Sequence, residues 1–99
     1  MAKFIIHNKI YDTSKMKLIG KVKKWYKFTG YLSSQLFGAE YGTQYKCLLF
    51  RSEKGNWLLV HVQSNETIGE AISEKEAKEL LMRHNYAAYV REYGELEEA

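Results

Sequence analysis

The feature that most narrows what this chain can fold into is a change of hydrophobic period at Ser73. Before it, apolar residues come in short runs and partial alternation, the signature of strands. After it they recur at three and four residues, the period of a helix. Ser73-Glu74-Lys75-Glu76 has the capping-box form, Ser followed three residues later by Glu. Ala77, Leu80, Leu81 and His84 then mark one helical face, with Arg83 and His84 in the last turn, where the helix dipole favours cations. Tyr86, Tyr89, Val90 and Tyr93 form a second stripe out of phase with the first. The phase change predicts two helices, or one kinked at Asn85, ending at Gly94. Asn85 is expected to cap the first of them in the left-handed conformation, and Glu95 to Glu98 to fray as an acidic tail. Strands first and helices last predict an α+β fold: an antiparallel sheet of about four strands, then two C-terminal helices packed on one face.

Within the strand region, Lys3 to Tyr11 has strand composition around a polar His7-Asn8-Lys9 able to turn or bulge. Asp12-Thr13-Ser14 is a turn signal, because short oxygen-bearing side chains bond their own backbone. Met16 to Phe28 reads as a long strand, Met16, Leu18 and Val22 against Lys15, Lys17, Lys21 and Lys23, with a bulge near Gly20. Residues 30–43 read as a long loop with aromatic anchors or a short irregular strand. Tyr45–Arg51 and Trp57–Val62 form a hairpin across Ser52 to Asn56, with Gly55 at positive φ. Both faces of that hairpin are apolar: Leu48, Phe50, Leu58, Val60 and Val62 on one, Tyr45, Cys47, Leu49, Trp57 and Leu59 on the other. The second cover is expected from residues 29–43 and the N-terminal strands, or from a partner such as a second copy.

Ninety-nine residues without proline, repeat or low-complexity tract predict a single domain spanning 1–99. A hydrophobic share of 45% against 27% charged is that of a folding chain rather than a disordered one. One cysteine, Cys47, excludes an internal disulfide framework and suits a reducing bacterial cytoplasm. No apolar run approaches a membrane span, and the one at the N-terminus is too short for a signal peptide.

Catalytic signatures are missing from the sequence. The histidines at 7, 61 and 84 and Cys47 form no close pair of metal-ligand spacing. The glycines match no phosphate-binding fingerprint. Cys47, in an apolar run, reads as a small core residue rather than a thiolate. The expectation is a protein with no catalytic residues, no metal and no cofactor.

Charge is more informative. Residues 1–39 carry eight lysines against Asp12 alone, a net +7, while residues 40–99 carry seven basic residues and eleven glutamates, a net −4. Lys21, Lys23, Lys24 and Lys27 interleave with Trp25, Tyr26, Phe28 and Tyr31. Basic and aromatic side chains on a strand can hold single-stranded nucleic acid by neutralising phosphates and stacking bases. The plainer alternative makes the aromatics core and the lysines guards of an edge strand.

Ile10-Tyr11-Asp12-Thr13, Leu18-Ile19, Lys54-Gly55-Asn56-Trp57, Ile72 to Lys78 and Tyr93-Gly94-Glu95 together resemble short accessory proteins of Gram-positive prophages and conjugative elements. The likeness runs in order along most of the chain but not through residues 29–43, and Lys9 stands where many such proteins have Gly. That setting includes anti-CRISPR proteins, which act by stoichiometric binding. The resemblance therefore implies an inhibitor of a host defence complex, a Cas9-type effector being the suspected partner. On that reading the partner-binding residues are Lys21, Lys23, Lys24, Trp25, Lys27 and Tyr31 in the basic half and Glu92 and Glu95 at the acidic end, where Glu97 and Glu98 also lie. A nucleic-acid-binding module and a homodimeric structural protein are the other two readings.

Overall fold

A computed structural model describes residues 2–27, 42–63 and 65–99, with the backbone alone at Lys27. The elements in chain order are β1 (Lys3–Ile6), β2 (Lys9–Asp12), a 3-10 turn (Thr13–Lys15), β3 (Lys17–Lys27), β4 (Gly42–Arg51), β5 (Trp57–Gln63), β6 (Glu66–Ile72), α1 (Glu74–His84) and α2 (Tyr86–Tyr93). The fold is α+β. Four antiparallel strands lie in the order β3-β4-β5-β6, and β1 and β2 form a separate two-stranded sheet.

The expected count of four strands holds for the main sheet, but its membership differs. Residues 3–11 fold as a hairpin of their own. Its two-residue turn places His7 at φ 52° and Asn8 at φ 63°, the paired left-handed conformation whose twist matches a tight hairpin. The fourth strand of the main sheet is β6, which carries no strong strand composition in Glu66 to Ile72. It pairs with β5 along its length from Trp57↔Ile72 to Gln63↔Glu66. At the β4–β5 turn Gly55 adopts φ +85°, as its position requires.

The two faces of the sheet bury different things. On one, Ile19, Val22, Cys47, Leu49, Trp57 and Leu59 pack against Ala77 and Leu81 of α1 and Ala88 and Tyr89 of α2. On the other, Leu58 and Val60 pack with Tyr11, and Phe4, Ile6 and Met16 close over them. The second apolar face of the β4–β5 hairpin is thus covered within the chain, by β1 and β2. Gly69 makes the docking possible: a Cβ there would stand 2.6 Å from the Phe4 ring.

Both helix starts are capped. Ser73 Oγ accepts from Glu76 N–H at 3.1 Å. The expected reciprocal bond does not complete the box, because the Glu76 carboxylate turns to Lys24 instead, at 2.7 Å. Asn85 ends α1 at φ −154°, ψ 69°, not in the left-handed region. This non-helical conformation suits its second task, since its Oδ1 accepts from Ala88 N–H and so caps α2. Gly94, at φ +87°, ends α2. The acidic tail keeps one tie, from Leu96 N–H to Tyr86 Oη at 2.9 Å.

Candidate functional site

Strand alternation alone would place Leu18 and Val22 on one face and Lys17, Lys21 and Lys23 on the other. The structure breaks that series. The β3–β4 register runs Leu18↔Phe50 and then Gly20↔Leu49, so Ile19 is an extra residue in a bulge. Beyond the bulge every side chain changes face relative to Leu18. Ile19 and Val22 enter the helix-side core, while Lys21, Lys23 and Trp25 emerge on the opposite face. Lys17, before the bulge, reaches the helix side and bonds Glu92 of α2.

The hairpin of β1 and β2 covers the β5–β6 half of that opposite face and leaves the end nearer β3 open. On the open part Lys21 stands opposite Leu48, Lys23 opposite Lys46, and Trp25 opposite Gln44. Lys21, Lys23, Gln44 and Lys46 are exposed, and the three lysines make no ion pair among the described residues. Two like charges directly across a ladder work against pairing. Trp25 is 45% exposed. Its indole lies over Gly42, where an added Cβ would sit 2.6 Å from Cζ2 and closer still to the Tyr26 carbonyl oxygen. The glycine therefore seats the ring on the sheet.

Two shallow grooves meet at Lys23 and His84. One, of about 440 Å³, runs over Lys21, Lys46 and Leu48. The other, of about 550 Å³, passes between Trp25 and Gln44 on the strands and Lys75 and Arg83 on α1. The outer edge of β3 is partly satisfied by α2: Asn85 Nδ2 donates to Lys21 O at 3.1 Å, and Arg91 donates to Ile19 O.

The other sequence candidates go elsewhere. Lys24 points to the helix side, 3.1 Å from Glu70 and 2.7 Å from Glu76. Burial disfavours its ammonium, but bonds to the two carboxylates prevail and hold its pKa above the ordinary lysine value. Tyr26 donates to Glu70 at 2.7 Å and stacks on buried His61 with centroids 4.5 Å apart. Burial, and then the adjoining Glu70 carboxylate, raise its phenol far above the usual range. Burial likewise pushes the Cys47 thiol up, which favours its neutral form. Glu92 is enclosed, its side chain 5% exposed, with Arg51 at 2.7 Å, Lys17 at 3.2 Å and Arg91 at 3.7 Å. Glu95 is exposed after Gly94, in the C-terminal segment. Lys27 ends β3 with its backbone alone described, and Tyr31 lies outside the described residues, as does the stretch expected as a loop over 30–43 except Gly42 and Thr43, which open β4 as its first paired residues.

The structure therefore brings together three of the eight sequence candidates, Lys21, Lys23 and Trp25. It adds Lys46 and Gln44, which sequence reading missed. The only signal for them is register, which places the partner strand's even-numbered residues beside the odd-numbered ones of β3. Among the described residues no three His, Cys, Asp or Glu side chains cluster to hold a metal ion, and no helix is long and apolar enough to cross a membrane. Comparison with protein-family models, with curated proteins and with solved structures finds no match.

Proposed function

We propose that the protein is a non-catalytic binding module that takes nucleic acid on the open part of its sheet face. The observation that carries this reading is the exposed cluster of Lys21, Lys23 and Lys46 beside a half-exposed Trp25. Lys23 directly across from Lys46 is an arrangement that an anion relieves. Phosphates supply that anion, and the indole supplies a stacking surface.

The test is fluorescence anisotropy with labelled DNA and RNA oligonucleotides across a salt series. Binding should weaken with a log–log slope of roughly 0.7–0.9 per phosphate contacted. Lys21→Gln, Lys23→Gln and Lys46→Gln combined should flatten the slope by about 2–3. Absence of binding to any oligonucleotide at low salt refutes the reading.

The inhibitor reading, which comes from the sequence resemblance, uses the same face. An effector that carries guide RNA presents the anionic backbone this surface suits. Its separate test is a plasmid-protection assay with a Cas9-type effector, in which the triple lysine variant should lose protection.

A further inference from the structure

The open face is a line as well as a patch, and the exposed ring at its end selects among nucleic acids. Resting on the nucleic-acid reading above, we infer that the occupant is an extended single strand, with Trp25 stacking one base and Lys21 and Lys23 neutralising successive phosphates. Lys21, Lys23 and Trp25 sit on one face of β3 at two-residue steps. A strand rises about 3.3 Å per residue, so each step is roughly 6.6 Å. That step is of the order of the through-space separation of neighbouring phosphates along a nucleic-acid strand, so the two lysines can meet successive phosphates.

Trp25 decides between a single strand and a duplex. Gly42 lets the indole lie on the sheet with nearly half its surface exposed. Such a ring can stack on a splayed base, whereas in a duplex the base faces are already stacked on each other. Lys23 belongs to both grooves, and the second continues to α1, where its lining mixes Lys75 and Arg83 with Glu76 and Glu79. The run from Lys21 to Trp25 covers about 13 Å, room for roughly three nucleotides at the lysine spacing.

The two tryptophans make the experiment clean. Trp57 is 2% exposed in the core, so emission quenched by an added base reports Trp25. The full chain is titrated at low salt with short oligo-dT, with a hairpin duplex of matched length, and with poly-glutamate. Oligo-dT should quench the emission and bind at least tenfold more tightly than the duplex. Trp25→Leu should lose the quench and weaken oligo-dT binding roughly five-fold or more, with duplex binding unchanged. Trp25→Phe keeps a stacking ring, so it should bind oligo-dT within about two-fold while losing the quench. Duplex binding equal to or tighter than single-strand binding, or single-strand binding without quenching, overturns the inference but leaves the nucleic-acid reading standing. Poly-glutamate bound as tightly as oligo-dT overturns both, in favour of an acidic protein partner. No binding to any of the three also overturns both.

Discussion

Replacing Glu92 with glutamine separates a structural carboxylate from a contact residue, because the two roles predict opposite melts. The side chain is 5% exposed and receives Arg51 at 2.7 Å and Lys17 at 3.2 Å. Lys17 is 61% exposed, so its pair contributes at most a fraction of a kcal/mol after solvent screening. Arg51, 29% exposed, makes the stronger bond, and a hydrogen bond to a charged group is worth about 1.5–3 kcal/mol. In Glu92→Gln the new amide can still accept from Arg51 through its carbonyl, so only the charge-assisted part is lost. The expected deficit is therefore about 1–2 kcal/mol at neutral pH, a fall in melting temperature of roughly 5–15 °C for a domain this size.

The deficit should also depend on pH in a defined direction. Burial opposes the ionised carboxyl, but Lys17 and Arg51 outweigh it and hold its pKa below the ordinary glutamate value. A depressed folded-state pKa gives stability that is fully present above the unfolded pKa, about 4.3, and is lost as pH falls through the folded value. Urea unfolding followed by far-UV circular dichroism at pH 7 and near pH 3 samples both sides of the unfolded value. The difference between native protein and Glu92→Gln should be largest at pH 7 and shrink toward zero in acid. All other ionisable groups are common to the two proteins and cancel in the difference. Equal stability at pH 7, or an offset unchanged between the two pH values, would refute the ion-pair argument and return Glu92 to the list of surface contacts.

Gly69→Ala should push Phe4 off the sheet, since its Cβ would approach three ring atoms at 2.6–2.9 Å. Overpacking of this kind costs about 1–3 kcal/mol, and hydrogen exchange should show faster amides in β1 and β2 with β4 and β5 still protected. Asn85→Ala removes the cap on Ala88 N–H and the donor to Lys21 O, so it should cost about 1–2 kcal/mol in urea unfolding. Asn85→Asp, which keeps the acceptor and loses the donor, should fall between the native protein and Asn85→Ala; a loss equal to that of alanine would mean the cap contributes nothing.

Where the sequence was readable, local chemistry and tertiary packing agreed. Ser73 and the stripe Ala77, Leu80, Leu81 and His84 mark α1 because capping and amphipathicity are written in consecutive residues. Gly55 marks its turn for the same reason. What was not readable depends on partners distant in sequence. β6 has Gly69 in its middle and glutamates at 66 and 70, and it is a strand because β5 templates it and Phe4 fills the space above the glycine. In the site, consecutive lysines looked equivalent. Lys23 and Lys24 differ only in which face the register assigns them, and that assignment sends one to solvent and the other to Glu70 and Glu76. Lys46 carried no motif at all, being a lone charge between Tyr45 and Cys47.

A single inserted residue links the core to the candidate site. Without the bulge at Ile19, strict alternation from Leu18 would keep Lys21, Lys23 and Trp25 on the face opposite Leu18, and so toward the helices. That face would then have to take Lys21 and Lys23 where Val22 now packs against the helix-side core, at the cost of desolvating charge in place of an apolar side chain. With the bulge, Ile19 fills the core and Gly20 lets Ala88 of α2 approach, an added Cβ there falling 3.1 Å from it. Arg91 and Asn85 then bond the outward carbonyls of Ile19 and Lys21, which fixes the edge of β3 where the kink would otherwise loosen it. The same contacts that stabilise the helix–sheet junction therefore set the direction of Lys21, Lys23 and Trp25. Binding through this face and stability at this junction are consequences of one backbone irregularity.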